Sequence, residues 1–292
     1  MSFKVAAAPI SWGVSEVPGW GRILEPDCVL SEMAGLGVYA TELGPPGYLP
    51  DPPTIVGRHG LELVGGFLAI PLHDPGTAEA GIAEATATAR KIARGGGEIV
   101  VLAAATGLDG YDRRPDLDDA QWATLVETCH RVGEVVRAEG LRVALHPHVG
   151  THVETEDEVE RFLADSTMPL CLDTGHLLVG GTDPVALAER HPARIGHLHL
   201  KDVRADLAAE VRSGRLGFAE AVAAGLFVPL GDGDVDTEAM VRAVHAAGYR
   251  GWYVLEQDIA LGPDSPDGAP RRDTARSLVH LDQIFSRIQE GR

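Results

Sequence analysis

Apolar, β-rich runs alternate with helical patterns along the whole chain, and this alternation limits the folds that the chain can adopt. A β-rich run, a helix and a second β-rich run together predict parallel strands joined by a helical crossover. Eight runs of this kind occur, at residues 4–10, 39–43, 63–70, 98–103, 142–146, 170–173, 195–200 and 252–256. The chain is therefore expected to build an α/β fold around a parallel sheet.

Helix signals fall between these runs. Thr155 and Glu158 form a capping box, and Asp183 precedes Pro184 as an N-cap precedes the first helical residue. Eight strands alternating with helices in 292 residues are typical of a (β/α)8 TIM barrel, although a doubly wound open sheet gives a similar pattern. We expect one barrel domain over residues 1–292, with an insertion at about 204–234 between the seventh and eighth strands.

Two segments are longer than ordinary loops. They cover residues 104–117 and 204–234. In a barrel both follow the carboxyl ends of strands, where active sites are built. We expect them either to cover a substrate or to be plain insertions.

Composition and charge exclude several classes of protein. Hydrophobic residues make up 45% and charged residues 23% of the chain, which excludes disordered and fibrous proteins. The net charge of −18 disfavours binding to nucleic acid or to anionic membranes. No apolar run approaches the roughly 18 residues of a membrane span, and Pro9 and Trp12 interrupt any signal peptide. We expect a cytoplasmic protein in which Cys28, Cys129 and Cys171 are buried, reduced thiols.

Polar side chains cluster at the ends of the predicted strands. The strand ends carry Glu42; His146 and His148; Asp173 and His176; His197, His199, Lys201 and Asp202; and Glu256 and Asp258. A buried carboxylate or imidazole is costly unless it is paired or binds a metal, so successive strand ends of this kind point to one shared metal. Imidazole and carboxylate ligands without thiolates suit Mn²⁺, Co²⁺, Zn²⁺ or Fe²⁺. The alternative is a set of hydrogen-bonded core residues.

The two-residue period of a strand decides which side chains face inward together. His197 and His199 share one face, Lys201 is in phase with them, and His199 lies nearer the rim. His146 and His148 also share a face, and only one of them is needed as a ligand. For Lys201 the alternative is a salt bridge to Asp202 at the rim, and for Glu42 it is a structural hydrogen bond.

Several motifs resemble a known family. They are residues 8–13 (APISWG), 16–21 (EVPGWG), 41–50 (TELGPPGYLP), 146–155 (HPHVGTHVET), 172–176 (LDTGH), 197–202 (HLHLKD) and 229–236 (PLGDGDVD). Together they resemble the inosose dehydratase group of the xylose-isomerase-like sugar isomerase and epimerase superfamily, over nearly the whole chain. The resemblance implies one divalent metal, held here by His146, Asp173, His199 and Glu256.

The resemblance also has consequences for the reaction. Many epimerases of the superfamily have Glu where His146 stands, and a metal-bound imidazole has no carboxylate lone pair to act as a second base. We therefore expect dehydration of a keto-polyol such as 2-keto-myo-inositol, by enolisation and loss of water. The alternative is a sugar isomerase or ketose epimerase that uses the same metal.

Roles follow for the remaining residues. Glu256 or Glu42 is expected to take the proton. His176 or Lys201 is expected to protonate the leaving hydroxyl, or Lys201 to stabilise the enolate oxygen. Residues expected to contact substrate are Trp12 and Trp20, whose rings suit a sugar face although either indole fits a core equally well, together with His148 and Arg204.

Two other classes of function are weaker. A phosphodiesterase acting on abasic DNA has the same barrel, but it needs further metals and a basic groove, which the acidic net charge disfavours. A non-catalytic sugar-binding protein has little reason to keep a complete ligand set. The expected partner is thus a small keto-polyol or sugar, and the composition is compatible with a homo-oligomer.

Overall fold

Eight parallel strands close into a barrel in this computed structural model, which describes residues 3–15, 17, 19–266 and 268–291. Glu16 and Pro18 of the EVPGWG motif lie outside the described residues. In chain order the described strands are β1 (Lys4–Ala7), β2 (Ala40–Glu42), β3 (Glu62–Pro71), β4 (Ile99–Ala105), β5 (Arg142–Leu145), β6 (Leu170–Asp173), β7 (Ile195–Leu200), β8 (Asp202–Val203), β9 (Phe227–Val228) and β10 (Trp252–Leu255). Strands β8 and β9 form a separate two-stranded sheet, and the other eight form the barrel. Strand β1 pairs with both β2 and β10, which confirms the barrel and excludes the open sheet.

Helices surround the barrel. They are α1 (Pro26–Gly35), α2 (Pro52–Arg58), α3 (Pro75–Arg94), α4 (Asp119–Ala138), α5 (Glu156–Asp165), α6 (Thr174–Gly180), α7 (Pro184–Arg190), α8 (Ala205–Arg212), α9 (Phe218–Ala223), α10 (Thr237–Ala246) and α11 (Ala269–Glu290). The interior below the site is filled by small and branched side chains: Ala6, Ala8, Ala40, Val64, Ile99, Val101, Ala144, Cys171 and Val254. The barrel is therefore a packed core with one open end.

The first strand is shorter than predicted. The run at residues 4–10 forms a strand only to Ala7, and Pro9–Trp12 form a 3-10 turn instead. Pro9 has no backbone N–H with which to continue the ladder, and Gly13 ends the turn in the left-handed region with φ 76°. The turn moves Trp12 away from the strand direction that the sequence suggests.

The segment between β7 and β10 forms a small subassembly of its own. Strand β8 pairs with β9 in antiparallel fashion, and α8 and α9 lie between them. Asp202 accepts backbone N–H groups from Gly231 at 2.8 Å, Gly233 at 3.0 Å and Val235 at 3.0 Å. The carboxylate therefore ties the beginning of the segment to its end.

Two further expectations concern the thiols and membranes. All three cysteines are free; Cys129 and Cys171 are buried, but Cys28 is exposed, so its predicted burial is wrong. It lies in α1, whose buried face is carried by Val29, Leu30 and Met33 instead. Among the described residues, no helix combines the length and apolar composition that crossing a bilayer requires.

Candidate metal and active site

The polar side chains predicted at the strand ends meet at the carboxyl end of the barrel. Four successive strand ends contribute the residues expected to bind metal: His146 after β5, Asp173 in β6, His199 in β7 and Glu256 after β10. His146 Nε2 lies 3.3 Å from Asp173 Oδ2, and His199 Nδ1 lies 3.2 Å from Glu256 Oε2 and 3.6 Å from Asp173 Oδ2. One register of parallel strands therefore brings the four predicted ligands together.

The donor set fits a divalent cation. Ligand atoms of Asp173, His199 and Glu256 all lie within 4.8 Å of one another, and so do those of His146, Asp173 and His176. Nδ1 of His146 and Nδ1 of His199 are buried and have no hydrogen-bond partner among the described residues. Buried polar atoms of this kind are costly without a partner, and an unprotonated ring nitrogen can bind a cation. Mixed imidazole and carboxylate ligands suit Mn²⁺, Co²⁺, Zn²⁺ or Fe²⁺.

Lys201 lies among the carboxylates of this site. Its Nζ is 2.9 Å from Glu256 Oε2, 3.1 Å from Asp258 Oδ1 and 3.2 Å from Asp173 Oδ2. Burial opposes its charge, but Asp173, Asp258 and Glu256 together raise the pKa of Lys201 well above its ordinary value. The alternative of a rim salt bridge to Asp202 is not formed, because Asp202 binds the backbone of residues 231–235 instead.

The two carboxylates predicted to bind metal are held ionised. Burial opposes ionisation of Glu256, but His199 and Lys201 outweigh it and lower its pKa to about 2. Burial likewise opposes ionisation of Asp173, and Lys201 with His176 lowers its pKa well below the usual range. His199 responds in the opposite sense: burial disfavours its charge, but Cys171, Glu256 and Glu42 raise its pKa. The site therefore balances buried negative and positive charge.

Two stacked imidazoles flank the lysine. The rings of His148 and His176 lie 3.7 Å apart at 29°, and His176 Nε2 is 3.7 Å from Asp258 Oδ2. The backbone N–H of Val149 donates to His176 Nδ1, so the Nε2 of the neutral ring carries the proton. Burial first, and His148 and Lys201 next, lower the pKa of His176 well below its usual range, so the ring is neutral. Burial and His146 lower the pKa of His148 to about 3.

Glu42 lies at the end of β2 on the floor of the site. Its Oε1 accepts hydrogen bonds from His197 Nε2 at 2.9 Å and His199 Nε2 at 3.3 Å. Burial opposes its ionisation, but His199 and His197 lower its pKa. The Cys171 thiol also lies next to His199, and burial raises the pKa of Cys171 to about 11.

A cavity of about 330 Å³ opens above these groups. Its described lining includes Glu42, His146, His148, His199, Lys201 and Glu256 at the floor, with Trp20, Tyr111 and Phe218 among the aromatic residues. Trp20 donates its indole N–H to the carbonyl of Ile259 at 2.8 Å, and its ring lies 6.4 Å from that of Phe218. Tyr111 lies 5.0 Å from the ring of His148 and 5.8 Å from that of Phe218.

The structure does not place two predicted substrate contacts at the cavity. Trp12 is fully buried in the outer core and donates its indole N–H to Glu32 Oε2 at 2.7 Å. Arg204 lies at the start of α8 and pairs with Asp206 at 2.9 Å on the exposed surface. The 3-10 turn redirects Trp12, and Arg204 follows β8, beyond the barrel strands, at the N-cap of α8.

Asp258, Tyr111 and Phe218 are among the cavity residues that were not assigned a role from the sequence. Asp258 lies two residues after Glu256, so the two-residue period of a strand predicts that both side chains point the same way, and this spacing could have identified it. Burial raises the pKa of Asp258 to about 6 despite the neighbouring Lys201. Tyr111 lies in the 104–117 segment and Phe218 in the 204–234 segment. Only the general expectation that these segments cover the substrate pointed toward them.

Comparisons with known proteins agree with this geometry. Residues 54–281 match the family described as xylose isomerase-like TIM barrel, so the chain belongs to that family. Its overall likeness to solved members is shown by an L-ribulose 3-epimerase, with a TM-score of 0.70 and 17% identity over 99% of this chain and 97% of that one.

Within the family the relatives are more specific. Inosose dehydratase of Geobacillus kaustophilus is 35% identical over 295 residues, which covers 95% of each chain. The predicted resemblance to the inosose dehydratase group is thereby confirmed. A solved structure of similar fold, an IOLI protein with a bound zinc atom, has a TM-score of 0.69 at 15% identity over 98% of this chain and 99% of that one.

Proposed function

We propose that this chain is a metal-dependent dehydratase that acts on a keto-polyol such as 2-keto-myo-inositol. The observation that carries the proposal is the identity of the donors: the imidazole of His146 stands where an epimerase would have a second proton-transferring carboxylate. The chain is also similar over nearly its full length to a protein named inosose dehydratase. Dehydration needs one base and one acid, and the site offers both kinds of group. Epimerisation by two opposed carboxylates is a poorer match to His146.

The proposed metal ligands are His146, Asp173, His199 and Glu256. When bound, the metal supplies Lewis-acid polarisation of the substrate ketone, which makes the neighbouring C–H bond more acidic. Lys201 adds a fixed positive charge at the same side of the cavity. The ammonium stabilises the negative charge that develops on oxygen as the proton is lost.

The proton and the leaving group have separate partners. In the proposed reaction, a proton leaves the carbon next to the ketone and is accepted by the carboxylate of Glu256. The C–O bond one carbon further along then breaks, and the hydroxyl leaves as water with a proton from the Lys201 ammonium, which the proton held by Glu256, 2.9 Å away, afterwards restores. The resulting enol rearranges to a diketone. His176 is neutral and would become an imidazolate if it lost its Nε2 proton, so we propose that its Nε2–H, which has no hydrogen-bond partner among the described residues, donates a hydrogen bond to the leaving oxygen.

The walls of the cavity suit a cyclic polyol. Trp20, Tyr111 and Phe218 present aromatic surface, which packs against the C–H face of a sugar-like ring. His148 is proposed to bind a substrate hydroxyl beside His176. Both long segments contribute to the walls, so we propose that they cover the substrate.

We also propose a cytoplasmic location and a small molecule as the only partner of the reaction. The free thiols are typical of a reducing compartment, and the net charge of −18 disfavours nucleic acid and anionic membranes. A homo-oligomer is compatible with this function.

The experiment follows the fate of 2-keto-myo-inositol with the purified protein and Mn²⁺ or Co²⁺. We expect an ultraviolet-absorbing diketone whose mass is lower than that of the substrate by one water. Asp173→Ala, which removes a charged ligand, should abolish both tight metal binding and product formation. A product of unchanged mass and altered stereochemistry would contradict the proposal and identify an isomerase or epimerase.

A further inference from the structure

A carboxylate on one side of the barrel holds two histidines on the other. Glu42 comes from the end of β2, whereas His197 and His199 come from β7. One oxygen of Glu42, Oε1, accepts from Nε2 of both rings, at 2.9 and 3.3 Å. All three residues are buried, so water does not compete for these hydrogen bonds.

This contact fixes which nitrogen of His199 faces the proposed metal ligands. Its Nε2–H is directed to Glu42, so its Nδ1 is directed to Glu256 Oε2 at 3.2 Å and Asp173 Oδ2 at 3.6 Å. A histidine that ligates a metal commonly donates its other ring N–H to a carboxylate, which sets the tautomer and the ring orientation. Glu42 is placed for that purpose.

His197 lies two residues before His199 on the same strand and has the same inward direction. Its Nε2 lies closer to Glu42 Oε1 than the Nε2 of His199 does, and its ring is fully buried. With two donors on one oxygen, the carboxylate of Glu42 is held beneath His199 instead of being free to turn toward a substrate.

We propose that Glu42 and His197 are positioning residues, which hold His199 with Nδ1 toward the metal, and that Glu42 is not the base of the reaction. The inference rests on the proposed function only for its kinetic measurement. Its binding measurement uses Mn²⁺ or Co²⁺ alone, without substrate.

The decisive variant is Glu42→Gln, which keeps the size of the side chain but removes its charge, so that the two imidazole N–H groups face a neutral and weaker acceptor. We expect Mn²⁺ and Co²⁺ to bind about 10- to 100-fold more weakly by calorimetric titration. At saturating metal, kcat should stay within about tenfold of the wild-type value. If Glu42 were the base, the opposite split would appear: unchanged metal affinity, with kcat lowered by roughly 10²- to 10⁴-fold.

His197→Leu provides a second, milder variant if Glu42→Gln does not fold. It removes one donor to Glu42 and leaves the other, so we expect a smaller loss of metal affinity, about two- to tenfold. In the double variant the two losses should not add, because both act through the same oxygen. Additive losses would show that His197 does not act through Glu42.

Glu98→Gln is the matched control. Glu98 precedes β4 at the opposite end of the barrel and pairs with Arg142 at 2.9 Å, so the same chemical change occurs far from the metal ligands. Its metal affinity should equal that of the wild type. Wild-type affinity in a folded Glu42→Gln variant would overturn the proposal, and so would a loss of kcat beyond 100-fold at saturating metal. If the protein has no dehydratase activity, the metal affinities of the wild type and of Glu42→Gln can still be compared. Failure of the proposed function can therefore be distinguished from failure of the positioning role of Glu42.

Discussion

At the scale of single residues, the buried ammonium group of Lys201 holds three carboxylates of the site together. Lys201 Nζ contacts oxygens of Asp173, Glu256 and Asp258 within 3.2 Å, and these include two of the proposed metal ligands. Without a positive charge, three buried carboxylates would repel one another strongly. Lys201 therefore stabilises the three buried carboxylates, and its charge is available to the proposed reaction.

The first prediction concerns Lys201→Met, which keeps the length of the side chain and removes its charge. If the ammonium stabilises charge that develops in the transition state, kcat should fall by roughly two to three orders of magnitude with a modest change in KM. Metal content should not fall, because Met removes a competing cation. Steady-state kinetics with metal analysis of the same sample test this, and near-wild-type kcat would remove Lys201 from the catalytic residues.

The second prediction separates the two tryptophans. Trp20→Ala should raise KM roughly five- to tenfold, which corresponds to about 1 kcal/mol of lost apolar contact with substrate. Trp12→Ala should leave KM unchanged but lower the free energy of unfolding by about 3–5 kcal/mol, because the indole is fully buried. Kinetics and urea unfolding of both variants measure the contrast. A raised KM in a folded Trp12→Ala protein would contradict the placement.

At the scale of elements, the two long segments are joined over the cavity. Asp112 Oδ1 accepts the backbone N–H of Phe218 at 2.6 Å, at the first residue of α9. Gly150 has φ +76°, and a Cβ there would lie 2.5 Å from the carbonyl oxygen of Tyr111, so only glycine allows this close approach. Arg114 adds ion pairs to Glu154 and Glu158. The cover is thus held by contacts between segments distant in sequence.

The third prediction tests this connection. Asp112→Ala should remove a charge-assisted hydrogen bond from a partly exposed contact, a loss of about 1 kcal/mol. We expect faster hydrogen exchange in residues 106–117 and 217–223 and a KM raised several-fold. The loss affects the local opening of these segments, so the global free energy of unfolding should be unchanged. Hydrogen exchange followed by mass spectrometry measures it. Unchanged exchange in the second segment would show that Asp112 does not link the two.

At the scale of the whole molecule, a second histidine pair makes stability depend on pH. The rings of His73 and His152 lie 4.2 Å apart, and each ring has a buried nitrogen without a hydrogen-bond partner among the described residues. Burial first, and then His73 and Arg114, lower the pKa of His152 to about 4, against an ordinary value of 6.5, although Glu158 opposes the shift. The folded state therefore favours the neutral ring.

The fourth prediction follows from the sign of that shift. As pH falls from about 6.5 to about 4, the unfolded chain takes up a proton at this position before the folded chain does, so stability is lost across this window. His152→Gln should lose less stability between these limits than the wild type, by on the order of 2 kcal/mol. Urea unfolding with a chelator present at both limits excludes any contribution from metal release. Equal losses in the two proteins would assign the acid sensitivity to other groups.

Much of this architecture could be predicted from local patterns. Strands β6 and β7 have the predicted limits, because β6 is a short apolar run that ends in Asp173 and β7 alternates leucines with histidines. The period of two placed His197, His199 and Lys201 on one face, and the same rule applied to β10 relates Asp258 to Glu256. Patterns that repeat within one strand are readable because neighbouring residues carry them.

Contacts between distant segments could not be predicted in this way. Nothing near Asp112 in the sequence indicates Phe218, which is 106 residues away. The turn after β1 decided that Trp20 lines the cavity and Trp12 packs against α1, although both indoles follow the same strand. For Glu42, the sequence indicated an inward carboxylate but not the two imidazoles that hold it from across the barrel.

The hydrogen bonds of Asp202 have a consequence for how such enzymes diversify. Arg204 N–H donates to the carbonyl of Leu226 at 2.9 Å, and Asp202 binds the backbone at 231–235, so the chain leaves and re-enters the barrel at nearly one point. None of the proposed metal ligands lies between these anchors, whereas Phe218, which lines the cavity, does. Sequence changes within this segment would therefore alter the wall of the cavity without replacing any proposed ligand.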